Sequence, residues 1–307
     1  MIAVSTTRIA DPESVEWLLV ELEPGRNVGG RLDLPPSGRA RLLPAASYRG
    51  LPAAKNEALR TASADMVLLL SPPLIPLPGS IELLVTALRS HPECCGICGQ
   101  WRNALWEIER GYNVRSFPSL RALFYDLLFL NKVCPGNHST RVYKMHDFDH
   151  LESRPVEHAL DYALLVRKSA LLDLGGFDEG YRFGWFDQVD ICHAASEAGL
   201  TFRYEPRAVF ESGRREPLLD RVLSEHYCDF YADQQRYVVR RFGTRAAREY
   251  RAILAAGMVI RLGFSTFLPR ALRRRLLTSY RSYVTDGYIQ SMKRAYRATL
   301  RSALFGL

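Results

Sequence analysis

Short apolar runs alternate along the chain with segments of helical periodicity. Residues 15–22, VEWLLVEL, form a compact apolar run of the kind a buried strand shows, and residues 40–44 form a shorter one. The Gly- and Pro-rich stretch 24–39 between them reads as a loop. Residues 52–62 carry helix formers, residues 65–70 predict a strand with MVLLL at its heart, and residues 71–79 are a proline-rich break. The spacing then predicts a helix over residues 80–90 and a strand over residues 96–100. Strands alternating with helices point to an α/β fold with a mainly parallel sheet and helical crossovers.

Periodicity weakens over residues 101–155, which contain Trp101, Trp106, Tyr112, Phe117 and the His146–His150 piece HDFDH. It returns with a strand at 162–166, a helix at 169–174, a glycine turn at Gly175–Gly176, and a helix over 187–198 that stops at Gly199. Beyond Gly243 the chain is helical in character and rich in Arg, Leu and Tyr. A domain boundary is therefore expected there, between residues 1–243 and a basic helical extension over 244–307.

A chain of 307 residues, 47% hydrophobic and 24% charged, can bury a core of one large domain with an extension. The net charge of +8 hides an asymmetry. From Arg236 onward sixteen Arg or Lys face two acids, Glu249 and Asp286, which gives +14 and leaves −6 for residues 1–235. Such a tail suits nucleic acid, an anionic membrane or an acidic partner. No helix-turn-helix pattern, zinc-finger spacing or RNA-binding aromatic signature accompanies it, which argues against nucleic acid.

The six cysteines form no regular framework and the start lacks a basic-then-apolar leader, so a reduced cytoplasmic setting is expected. Cys95-Gly-Ile-Cys98 has zinc or redox spacing, but it lies in an apolar run and reads better as a buried strand. The two His and two Asp of residues 146–150 read as a solvated loop rather than a metal site, and no metal is assigned. No apolar stretch approaches the ~20 residues that span a bilayer. The nearest, residues 252–260, is bracketed by Arg251 and Arg261.

Three passages carry a resemblance. They are Tyr48 to Leu59, YRGLPAAKNEAL, with the strand and LLLSPPLIPLPGS after it; Tyr162 to Glu179, YALLVRKSALLDLGGFDE; and Trp185 to Cys192, WFDQVDIC, followed by Gly199 and Tyr204-Glu-Pro206. In this order and spacing, over roughly residues 15–243, the chain resembles the inverting family 2 glycosyltransferases of GT-A fold, and their rhamnosyltransferase-like branch in particular. The resemblance implies a Rossmann-like domain that holds a nucleoside diphosphate sugar at the carboxyl edge of its sheet. In active relatives a carboxylate takes the proton of the attacking acceptor hydroxyl while a divalent metal neutralises the departing diphosphate.

Several positions depart from that pattern. The family's metal-binding Asp falls on Pro73, which offers no ligand, so a divalent metal is doubtful. The base position falls on Gln188, whose amide cannot accept a proton at neutral pH. Asp187 and Asp190 are the neighbouring catalytic candidates, and their spacing equally suits a helix N-cap with an acid beside it. The family's His falls on Phe210 or Glu211, the latter a metal ligand or a solvated loop acid. For the donor, the resemblance assigns the nucleobase to Glu21, matches Asn56 to the family's Asn, and leaves Lys55, Arg214 and Arg215 as phosphate partners. The implied activity is sugar transfer from a nucleoside diphosphate sugar to a glycan, lipid-linked or other hydroxyl acceptor, at the cytoplasmic face of a membrane. The alternative is an inactive GT-A-like subunit of a glycan assembly.

Overall fold

The computed structural model describes residues 15–20, 40–43, 50–71, 74–108, 110–134, 136–212, 226–267 and 286–305. In chain order these form β1 (Trp17–Val20), β2 (Ala40–Leu43), α1 (Leu51–Thr61), β3 (Met66–Leu70), β4 (Leu74–Pro76), α2 (Ser80–Ser90), β5 (Cys94–Arg102) and β6 (Val114–Arg115). Then come α3 (Leu120–Leu127), α4 (Leu130–Val133), α5 (His138–Tyr143), β7 (Arg154–Val156), β8 (His158–Ala159), β9 (Ala163–Arg167) and α6 (Lys168–Asp173). The last are α7 (Phe186–Glu197), β10 (Thr201–Ser212), α8 (Tyr227–Phe267) and α9 (Asp286–Phe305). The chain divides into two compact units, residues 1–117 with 144–215, and residues 118–143 with 216–307. Gly243, where the sequence placed a boundary, lies inside the second unit at a kink in α8.

The first unit is built on a six-stranded sheet of order β3-β9-β5-β10-β4, with β7 paired to β10. It is mixed and mostly antiparallel, which corrects the expectation of a mainly parallel sheet. Only β5 and β10 pair in parallel; β9 pairs antiparallel with both β3 and β5. Strands β3 and β5 do run the same way, joined through α2, so the crossover was legible. Pairing order was not, because β9 inserts between them from about sixty residues further on. A separate pair, β1 with β2, is parallel.

Strand β9 explains why this sheet is central. Leu164 and Val166 belong to one apolar cluster with Leu59, Cys98, Ile191 and Phe202. Ala163 and Leu165 belong to another with Leu84, Leu88, Ile97 and Phe210. Alternate side chains of a strand point to opposite faces, so β9 is buried on both, which its unbroken apolar run anticipates. Cys95 and Cys98 are buried in β5, and desolvation pushes both thiols up to about 12. They are core residues, as their apolar surroundings predicted.

The second unit is helical. Ser119 caps α3 by accepting from Ala122 N at 3.2 Å, satisfying one of the amides a helix start leaves open. Arg261 of α8 is buried; it donates to the carbonyls of Leu127 and Asp126, and its guanidinium lies 4.1 Å from the Phe129 ring centroid. Burial works against its charge, but Tyr227, Tyr231, Tyr296 and Asp126 outweigh that and hold its pKa above the ordinary value. Helix α9 contributes buried Met292, Tyr296, Thr299 and Ala303 to the same unit. Part of the basic tail thus serves packing, while Arg245, Arg248, Arg297 and Arg301 are exposed.

Candidate functional site

Three charged side chains distant in sequence meet inside the first unit. Lys55, on α1, donates to Asp187 Oδ2 at 2.9 Å and is ion-paired with Asp161, which precedes β9. All three are buried, Asp187 completely. Removing charges from water costs several kcal/mol per ion, so such groups survive only when closely paired. Burial pulls the Lys55 pKa down, but Asp161 and Asp187 together raise it above the ordinary value, so it stays an ammonium. Burial raises the Asp161 pKa; Lys55 lowers it and Asp187 raises it, and the net direction is up. Two carboxylates therefore share one cation. Within this cluster Asp187 Oδ1 is a fully buried acceptor with no hydrogen-bond partner.

Asp187 is not an N-cap. Helix α7 begins at Phe186 with Trp185 in the cap position and no side-chain cap bond, so Asp187 lies in the first turn and is turned to Lys55. Asp190 is also buried, one turn further on. Gln188 has both ends of its amide engaged: Oε1 accepts from Asp161 N at 3.2 Å, and Nε2 donates to Gly184 O. The residue at the family's base position thus ties the Asp161 backbone to the turn before α7.

Asn56 performs a structural task beside the cluster. Its Oδ1 accepts from Phe177 N at 2.8 Å, and its Nδ2 donates to Phe177 O at 2.8 Å and to Glu179 Oε1 at 2.9 Å. It clasps the turn of the Gly-Gly-Phe-Asp-Glu passage. The clasp explains Gly176, whose φ is +73° and where an added Cβ would stand 2.6 Å from Asn56 Oδ1. The Phe177 ring so fixed lies 4.8 Å from Lys55 Nζ.

An aromatic and cationic group adjoins the ion cluster. Arg115 on β6 is paired in register with His158 on β8, and its guanidinium lies 4.6 Å from the Trp185 ring and 5.5 Å from that of Tyr112. Tyr162, next after Asp161, lies 4.9 Å from Trp101. His158 is fully buried and burial, with Arg115 nearby, pushes its pKa down to about 3, so the ring is neutral. In the His146–His150 piece, burial lowers His150 to about 4, and among the described residues no three His, Cys, Asp or Glu side chains converge as a metal set.

The fold therefore brings Lys55 and Asp187 together, with Asn56 alongside. Glu211 lies near the end of β10, in register with Arg102 and Ile75. Glu21, Pro73, Arg214 and Arg215 lie outside the described residues. Sequence reasoning missed Asp161. Its signal was a lone acid, HALDYALLV, at the mouth of an apolar strand.

No family model matches the chain. Over 72 residues it is 36% identical to a pre-mycofactocin glycosyltransferase of Mycobacterium tuberculosis, a match covering 24% of this chain and 15% of that one. Over 149 residues it is 30% identical to the N-acetylglucosaminyl-diphospho-decaprenol L-rhamnosyltransferase of the same organism, covering 47% of this chain and 45% of that one. The chain thus spans less than half the length of either relative. Among solved structures, a mannosyltransferase from Pyrobaculum calidifontis in complex with GDP-Man and Mn²⁺ is similar at a TM-score of 0.45 and 14% identity, over 95% of this chain and 78% of that one. The sequence relatives are glycosyltransferases, one a rhamnosyltransferase, in agreement with the resemblance of the sequence to glycosyltransferases.

Proposed function

We propose that the chain binds a nucleoside diphosphate sugar and transfers the sugar, with inversion, to a hydroxyl of a glycan or lipid-linked glycan. The observation carrying this is Asp187, a buried carboxylate with one oxygen unpartnered, in a chain whose relatives are glycosyltransferases. In this scheme Asp187 takes the proton of the acceptor hydroxyl as its oxygen attacks the anomeric carbon, and the diphosphate leaves. Lys55 donates to the Asp187 carboxylate, and Asp161 holds Lys55 in place. The N-acetylglucosaminyl-diphospho-decaprenol acceptor in one relative's name makes a lipid-linked glycosyl diphosphate the acceptor class of choice.

Metal fits the described residues poorly, because the space between Asp161 and Asp187 already holds the Lys55 ammonium. A membrane surface fits the reading, since such acceptors reside there and the tail carries sixteen bases against two acids. No helix of the described residues is long and apolar enough to cross a membrane.

A second reading, donor binding without transfer, is favoured by Gln188, which stands at the base position with both amide ends engaged. Calorimetry with a panel of nucleoside diphosphate sugars, followed by product analysis with a lipid-linked acceptor, separates the two. Binding with turnover supports transfer; binding without turnover supports the second reading; no binding overturns both.

A further inference from the structure

The hairpin after β5 holds Trp106 outward on a backbone that disfavours it. Arg102 bridges to Ile108, and Asn103 builds the turn between them. Its Oδ1 accepts from Leu105 N at 2.9 Å and Glu107 N at 3.0 Å, and its carbonyl accepts from Trp106 N at 2.9 Å. Trp106 has φ +65°, in the left-handed region that a bulky side chain rarely adopts. Its side chain is nonetheless 49% exposed.

Arg102 attends it. The guanidinium lies 5.2 Å from the Trp106 ring centroid and donates to Trp106 O at 3.2 Å. One residue inward, Trp101 meets Tyr112 edge-on at 5.9 Å and Tyr162 at 4.9 Å, and Tyr162 follows Asp161.

We infer that Trp106 and Arg102 form a subsite for a glycosyl diphosphate. An exposed indole offers a broad rigid face to the C–H face of a pyranose, and a guanidinium fork matches phosphate oxygens. A left-handed backbone kept at a half-exposed aromatic residue suits a ring that must be presented. This rests on the transferase reading above. The chemistry is shared by a nucleotide-sugar donor and a lipid-linked glycosyl diphosphate acceptor, so both are tested.

The experiment is calorimetric titration of the full chain with uridine diphosphate N-acetylglucosamine and with a short-prenyl N-acetylglucosaminyl diphosphate, for wild type, Trp106→Gly and Trp106→Phe. Trp106→Gly is expected to weaken at least one probe tenfold or more without lowering the thermal midpoint, because glycine relieves the left-handed backbone. Trp106→Phe, which keeps a ring, is expected to stay within threefold. Loss on the nucleotide arm alone marks the donor's sugar diphosphate, and loss on the prenyl arm alone marks the acceptor's. Unchanged affinity for both probes in Trp106→Gly overturns the inference while leaving the transferase reading intact. So does a lowered midpoint, which would make the residue structural. A wild type that binds neither probe overturns the inference as well, whereas the transferase reading falls only if no nucleoside diphosphate sugar of the panel binds.

Discussion

Lys55 Nζ lies 2.9 Å from Asp187 Oδ2, across 132 residues of sequence, and both side chains are buried. The contact joins α1 to the first turn of α7 and, through Asp161, to the start of β9. Its strength and its use are open to separate tests.

Replacing the cation leaves two buried carboxylates without a partner. Lys55→Met is expected to destabilise the fold by about 3–5 kcal/mol, as breaking a buried pair does, and Lys55→Met with Asp161→Asn to recover part of that. The raised Lys55 pKa adds a pH test. Its contribution is fully present below the ordinary value of 10.5 and is lost as pH rises through the higher folded value. On raising the pH from 8, the wild-type advantage over Lys55→Met in urea unfolding should therefore hold up to that pH and shrink above it; an advantage that fades between pH 8 and 10 would contradict the assignment.

Asp187→Asn should lower transfer by about a hundredfold or more, the range for a positioned base. Circular dichroism and thermal melts establish that the variant is folded. Unchanged turnover would remove Asp187 from the chemistry and leave Asp190 and Glu211 to be tried.

The Asn56 clasp should be structural rather than chemical. Asn56→Ala leaves Phe177 N and O unpaired and is expected to cost about 1–3 kcal/mol for each group left unsatisfied. Gly176→Ala meets Asn56 Oδ1 on a left-handed backbone and should destabilise as well. Denaturant midpoints measure both; wild-type midpoints would show the turn held by other contacts.

Chelation should matter little. With Pro73 at the family's metal position and Lys55 between the two aspartates, EDTA is expected to change donor affinity less than about threefold, a shift under about 1 kcal/mol. A tenfold loss measured by calorimetry would reverse this.

The exposed bases of α8 and α9 should confer salt-sensitive attachment to anionic vesicles. Flotation of the full chain at low salt is compared with a variant in which Arg245, Arg248, Arg297 and Arg301 are changed to Gln, each base near the surface being worth about 1 kcal/mol. Equal flotation of both chains, or none of either, would rule these residues out as the anchor.

Much of this was legible from local pattern. Helix α2 falls at residues 80–90 as its periodicity indicates, β9 follows from an apolar run, and the glycine turn before Phe177 follows from composition. The family resemblance and the charge of the tail were equally open to reading, because both are carried by short contiguous passages. What only the tertiary structure decided is pairing at a distance. The run of β9 cannot say that it inserts antiparallel between β3 and β5, since strand order depends on which faces the rest of the chain leaves to cover. Nor could spacing tell that Lys55, read as a phosphate partner, neutralises Asp161 and Asp187 instead, or that Asp187 faces inward rather than capping α7. A charge buried in the interior is governed by what it touches there, and that depends on how α1, β9 and α7 come together.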